Sequence, residues 1–290
     1  MDDLQKEILA IREAAEKKSD KNMKPILQAY KRSLNEVRTE IAQLYVKYAV
    51  DGKLQMSKQQ RYTFLKNLEK QLIEQAKVLG NIDLEHTTKI LNEIYQDSYY
   101  QTAYVLDKGV EVVKDFALLN PKMIETVVCA KFEGATYSSR IWENKELLVK
   151  SLRKQIENGI IQGHSIDKMS KAIKNQFGSS AYQSKRLIHT EMARVVSEAQ
   201  NKIYQDSGII QKVIYDATLD NKTSNICRDL DGKIFDINSS YPKPPQHPNC
   251  RSAIIPIVDG WNPRTKRDNI TKEIIPYKVY DEWAKDKGIK

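Results

Sequence analysis

Cysteine is scarce in this chain: three in 290 residues, at positions 129, 227 and 250. An odd, widely spaced set excludes a disulfide framework. With no Cys-x-x-Cys pair, it also excludes the usual zinc-finger spacing. Long apolar runs are missing as well. None approaches the roughly 20 residues that a membrane span requires. The opening MDDLQKEILAIREAAEKKSDK is charged throughout and lacks the apolar stretch of a secretory signal. The expectation is a protein made and kept in a cytoplasm, or in a particle assembled there. No phosphate-cradling glycine loop, Gly-x-Ser-x-Gly elbow or His-Glu-x-x-His helix occurs. Nothing builds an obvious nucleophile–base pair, so no catalytic residue is assigned and the chain is expected not to be an enzyme. Internal repeats and low-complexity tracts are absent too.

What is present is positive charge: 47 Lys and Arg against 38 Asp and Glu, a formal +9 and a pI near 9.2. The excess is uneven. Residues 151–200 hold eight basic residues against four acidic, whereas residues 51–150 balance at fourteen each. A basic surface is drawn to polyanions such as nucleic acid, although lysine-rich solubility gives the same count. No particular DNA-binding residue can be assigned.

Helical periodicity fills the first two hundred residues. Ile26, Tyr30, Leu34, Val37, Ile41, Leu44 and Tyr48 recur at steps of three and four, one apolar stripe. A break at Asp51-Gly52 follows. A second helix is predicted from Ser57 to Gly80, with Leu65, Leu68, Leu72, Ala76 and Leu79 on one face. A tyrosine-rich third runs from Asp83 to Leu106. Three short stripes with short breaks predict a bundle over a coiled coil. Beyond Pro121 come a short helix over 123–132, another over 141–161, one from Ile166 ending at Gly178 with Ser165 as N-cap, and a long one over 184–205.

After Gly208 the texture changes. Residues 212–218, 232–237 and 251–258 read as short strands, separated by a turn-like segment (219–225) and a proline loop, and closed by Asp-Gly-Trp-Asn-Pro (259–263). The predicted fold is mainly α with a small C-terminal α+β module, its short antiparallel strands lying near 212–258. The domains are a helical arm or bundle (1–135), a helical lead-in (136–208), the β-containing module (209–260) and a charged C-terminal tail (261–290).

Chemistry-bearing residues concentrate in the module. Cys227, His247 and Cys250 carry zinc-ligand atoms, but a closed zinc site takes four. Asp220, Asp231 and His189 are the candidates for the fourth. Three readings stand: a bound metal, a Cys227–Cys250 disulfide, or thiols and imidazole that simply pack. No cofactor is required, and zinc is the one the residues leave open. His189-Thr190-Glu191 invites comparison with zinc deaminases, but their second cysteine is missing here, where Ala253 stands. His189 falls on a stripe with Met192, Val196, Ala199 and Ile203, so it is expected on a buried face. Glu191 and Arg194 are i,i+3 neighbours able to pair, and Arg194 is a candidate for locking this helix to the module. Asp229-Leu-Asp-Gly-Lys reads as a tight turn rather than a calcium loop.

The run Thr190-Glu191-x-x-Arg194, then Asp220, Thr223, Cys227, Gly232 and Phe235, then Pro244-Pro245-x-His247-Pro248-x-Cys250-Arg251, resembles the Mu F-like phage minor head (head morphogenesis) proteins. The resemblance covers roughly residues 137–258. Ser252 departs from it, since many members carry a further cysteine there. It implies a virion protein inside the head, bound to the portal, acting in head assembly and in DNA packaging and ejection. The implied partners are the portal protein, packaged DNA without base reading, and scaffold or major capsid protein. The alternative is a metal-dependent hydrolase or nuclease using the Cys/His module. On the structural reading Cys227, His247 and Cys250 close the module as a clasp, or hold a metal, with Glu191, Arg194 and Arg251 joining helix to module.

Overall fold

The computed structural model describes residues 3–110, 116–258, 265–268 and 270–287. In chain order the elements are α1 (Asp3–Asn22), α2 (Lys24–Tyr48), β1 (Ala49–Val50), β2 (Lys53–Leu54), α3 (Lys58–Val110), α4 (Pro121–Val128), α5 (Tyr137–Ile161), α6 (Ile166–Ser207), β3 (Lys212–Asp216), α7 (Asn225–Leu230), β4 (Ile234–Asp236), β5 (Ala253–Ile257), β6 (Thr265–Arg267), β7 (Ile274–Pro276) and α8 (Tyr280–Asp286). The chain is mainly helical with a small α+β module, as its sequence predicts.

Two compact units result, and neither is continuous in sequence. One comprises Met1–Ser19, Ile90–Val128 and Ile188–Lys290; the other comprises Asp20–Lys89 and Cys129–Leu187. The sequence-based division into four consecutive segments does not anticipate this interleaving, because α1, α3 and α6 each contribute residues to both units.

The second unit is all helix apart from the two-residue β1–β2 hairpin. Its core is the predicted stripe of α2 (Ile26, Tyr30, Val37, Ile41, Leu44) with Leu68, Leu72 and Leu79 of α3 and Ile141, Leu148, Leu152 and Ile156 of α5, all buried. Helix α5 begins where Thr136 and Ser139 form a reciprocal capping box. Ser165 caps α6 as predicted, its hydroxyl accepting from the Lys168 N–H at 3.4 Å.

Both predicted interior stops fail. Helix α3 runs through Gly80 and α6 through Gly178. A single glycine costs a helix only about 1 kcal/mol relative to alanine, too little to end a well-packed one. Gly80 has a packing reason: a Cβ there would lie 2.4 Å from the Trp142 ring, so the missing side chain makes room for the indole. At Gly178 a Cβ would meet nothing within 4 Å, and packing gives no reason for the glycine.

In the first unit a three-stranded antiparallel sheet has the order β4-β3-β5. Val213 faces Phe235 on one side and Pro256 on the other, and Ile214 faces Ile255. Pro256 is tolerated because β5 is an edge strand. Tyr204 of α6 donates to the Ile254 carbonyl at 3.3 Å, tying that helix to the sheet. The predicted turn is present, with Gly232 at φ +75°, and Pro244–Pro245 is a cis peptide.

Two expectations are revised. Part of the segment expected as turn is helix α7, started by Ser224, whose hydroxyl accepts from the Cys227 N–H. The expected charged tail, over its described residues, is folded: β6 and β7 pair, and Tyr280, Trp283 and Ala284 of α8 bury with Leu219. Lys266 is buried there against Asp231 at 2.7 Å and Asp216 at 3.3 Å. The expected closing turn at 259–263 lies outside the described residues.

Candidate metal centre and clasp

Two short segments bring the cysteines and the histidine together. Helix α7 presents Cys227 from its first turn, and the proline loop brings His247 and Cys250 to it. The Cys227 and Cys250 sulfurs lie 3.7 Å apart, and His247 Nε2 lies 3.3 Å from the Cys227 sulfur. All three ligand atoms fall within 4.8 Å of one another. Both cysteines are buried and unbonded, and His247 is half-buried. A disulfide would need the sulfurs at about 2.05 Å.

The surroundings fix each group. His247 Nδ1 is 2.9 Å from the Pro248 carbonyl. A carbonyl only accepts, so Nδ1 carries the proton and Nε2 turns its lone pair to the sulfurs. The buried Tyr215 hydroxyl sits 3.3 Å from Cys227 Sγ, and burial pushes that phenol's pKa up. The two thiols share protons unequally. Their mutual hydrogen bond holds Cys250 down and pushes Cys227 up, while burial works against ionisation at both. Backbone N–H groups of Gln246 and Ser252, together with the charge of Arg12, add to the lowering at Cys250.

The proposed fourth ligands do not join the cluster. Asp220 is paired with Arg251 at 2.5 and 2.9 Å and caps the Lys222 N–H. Burial raises the Asp220 carboxyl's pKa, but Arg251 and the other donors outweigh it and leave it lowered. Asp231 takes the N–H groups of Ala217 and Tyr280 and the Lys266 ammonium. Its neighbour Asp216 is raised, first by burial, with Lys266 opposing and Asp231 adding. Among the described residues no fourth His, Cys, Asp or Glu completes the group.

The expected helix-to-module contacts are also redistributed. Glu191 and Arg194 pair at 2.6 Å and are buried, not exposed. Arg194 then reaches the last turn of α4, donating to the Val127 and Val128 carbonyls at 2.8 and 2.9 Å. It staples helix to helix, since α4 ends with unsatisfied carbonyls that a guanidinium fork can serve. Arg251 pairs within the module, with Asp220. Near the clasp, the helix is tied to the module by Thr190, whose hydroxyl accepts from the Asn249 N–H at 3.1 Å, as Tyr204 ties it to the sheet farther along. His189 is half-buried, while the rest of its predicted stripe is buried.

Arg12 of α1 was not legible as a site residue. Its guanidinium donates to the carbonyls of Cys250 and Ser252, clamping the clasp from behind. A signal existed: Arg12 stands one turn after Ile8 and one before Ala15, on an apolar stripe where a charge demands a partner.

Residues 150–255 match the family described as Phage Mu protein F like protein. The chain is 24% identical to the minor head protein GP7 of Bacillus phage SPP1, over 94% of this chain and 92% of that protein. It is 28% identical to the NAD(+)--arginine ADP-ribosyltransferase EFV of Enterococcus faecalis, over 66% of this chain but 43% of that one, so it spans less than half of this relative. No solved structure matches significantly. The resemblance to Mu F-like phage head proteins is thereby shown.

Proposed function

We propose that this chain is a minor head protein of a tailed bacteriophage, bound to the portal inside the head. There it acts in head assembly and in the packaging and ejection of DNA. The observation that carries the reading is the alignment to the SPP1 minor head protein. It runs through 94% of this chain, so it takes in both compact units and not the C-terminal module alone. The net +9 charge supports contact with packaged DNA through its phosphates. Exposed Tyr62, Tyr104 and Tyr182 suit docking on protein partners, the portal first and scaffold or major capsid protein next. No described helix is long and apolar enough to cross a membrane.

The test is co-expression with the portal protein of the same phage genome. Co-elution with the portal oligomer and detection in purified virions are expected. Recovery only as free chain, with none in virions, would sink the reading. DNA contact is tested separately: affinity should be independent of sequence and fall steeply with salt.

The hydrolase or nuclease alternative needs an unengaged carboxylate beside the Cys/His cluster. Asp220 and Asp231 are committed to Arg251 and to Lys266, which favours a structural role. The transferase activity in the Enterococcus relative's name belongs to a protein of which this chain matches under half, and it is not carried over.

A further inference from the structure

We propose that Cys227, His247 and Cys250 hold a zinc ion that staples helix α7 to the proline loop at the entry to β5. Zinc bonds thiolate at about 2.3 Å and imidazole at about 2.0–2.1 Å in a tetrahedron. Those lengths set a sulfur–sulfur edge of about 3.8 Å and a sulfur–nitrogen edge of about 3.6 Å. The observed edges are 3.7 Å between the sulfurs and 3.3 Å from the Cys227 sulfur to His247 Nε2. Both edges lie within about 0.3 Å of those lengths, and the third, from the Cys250 sulfur to His247 Nε2, is under 4.8 Å.

Two further features are those of a metal shell. The Pro248 carbonyl holds the imidazole in the tautomer whose Nε2 is free to bind. Arg12 grips the carbonyls of Cys250 and Ser252 on either side of Arg251, fixing the ligand loop and supplying positive charge beside two thiolates. The fourth corner has no His, Cys, Asp or Glu among the described residues. Ser252, two residues after Cys250, is buried. A water completes the tetrahedron, reached along the half-buried face of His247.

The experiment uses the whole chain purified under reducing conditions from zinc-supplemented cells. Elemental analysis should find close to stoichiometric zinc. Replacement by cobalt should give the sulfur-to-cobalt charge-transfer band and the intense visible bands of a tetrahedral thiolate site. Cys227→Ser, Cys250→Ser and His247→Ala should lose the bands. Arg12→Met, which removes no ligand, should release zinc to a chromophoric chelator with an affinity about 10–100-fold weaker. Ser252→Cys, which adds a fourth thiolate, should hold zinc more tightly than the parent chain. Metal titration of the unsubstituted reduced protein gives the stoichiometry even where a variant fails to fold. Substoichiometric zinc with no cobalt band in that protein overturns the proposal. So does a Cys227–Cys250 disulfide in freshly isolated chain.

Discussion

Lys145 is the most demanding residue in the helical unit. Its ammonium lies 2.6 Å from Asp83 Oδ2, 2.7 Å from the Tyr30 hydroxyl and 3.3 Å from the Ser184 hydroxyl. Both ionic side chains are almost fully enclosed, at 2% and 1% exposure. Replacing Lys145 by Met leaves the Asp83 carboxylate with the hydroxyls of Ser184 and Thr87 but no cation. An uncompensated buried charge costs ~3–5 kcal/mol. Asp83→Leu strands the ammonium at a similar cost. The double variant puts two apolar side chains of comparable volume together, and buried pairs exchanged this way are often neutral or better. A coupling energy above ~2 kcal/mol is therefore expected between the two sites. The exposed pair Lys77–Glu74, at 58% and 71%, is the control, its loss costing under ~0.5 kcal/mol. Urea midpoints and slopes of the four proteins give the cycle. They are followed by Trp142 fluorescence with Trp261 and Trp283 replaced by Phe, so that the signal reports the unit containing Lys145. Single variants costing under ~1 kcal/mol, or effects additive within ~0.5 kcal/mol, would refute the reasoning.

Three further outcomes are expected. Gly80→Ala drives a Cβ into the Trp142 ring and should cost ~1–3 kcal/mol, whereas Gly178→Ala, into open space, should stabilise by ~0.5–1 kcal/mol; thermal melts of both check the contrast. Arg194→Met removes the charge-assisted bonds to the Val127 and Val128 carbonyls and to Glu191 and should cost ~2–3 kcal/mol, and hydrogen exchange should show α4 fraying first. The Asp220 pKa is depressed in the folded chain, so its pairing with Arg251 contributes stability that is complete above the ordinary carboxylate value of 3.8 and is lost as pH falls below it through the folded value. Arg251→Met should flatten that part of a stability-against-pH curve; because Arg251 is 38% exposed, the effect is worth no more than ~1 kcal/mol.

The strands and the clasp were legible because their signals are local. The β-rich, alternating run at 212–218 marks β3, the apolar run at 251–258 marks β5, and the prolines before Cys250 exclude helix. What escaped depended on partners far along the chain. Gly80 reads as a helix stop until Trp142 is known to lie over it. The 261–290 segment reads as a tail because charge dominates its composition, yet Asp268 binds the Trp283 indole at 3.0 Å and Lys266 disappears between two aspartates. Lys145 and Asp83 look like ordinary surface charges, although both fall on apolar stripes, between Ile141 and Leu148 and between Leu79 and Ile90. A charge at a stripe position was the available sign of a buried pair. Arg194 was read as a link to the module because α4, the helix it serves, lies 66 residues earlier.

The Arg12 clamp couples segments translated far apart in time. Its acceptors, the carbonyls of Cys250 and Ser252, lie 238 and 240 residues downstream. On the ribosome, residues 20–89 and 129–187 can complete their unit once Leu187 has emerged. Arg12 has no such option: its guanidinium waits for Cys250 and Ser252 to be translated, and closing so long a loop is slow. A chain truncated before Cys250 therefore loses both acceptors of the buried Arg12 guanidinium, a loss that limited proteolysis of α1 can report.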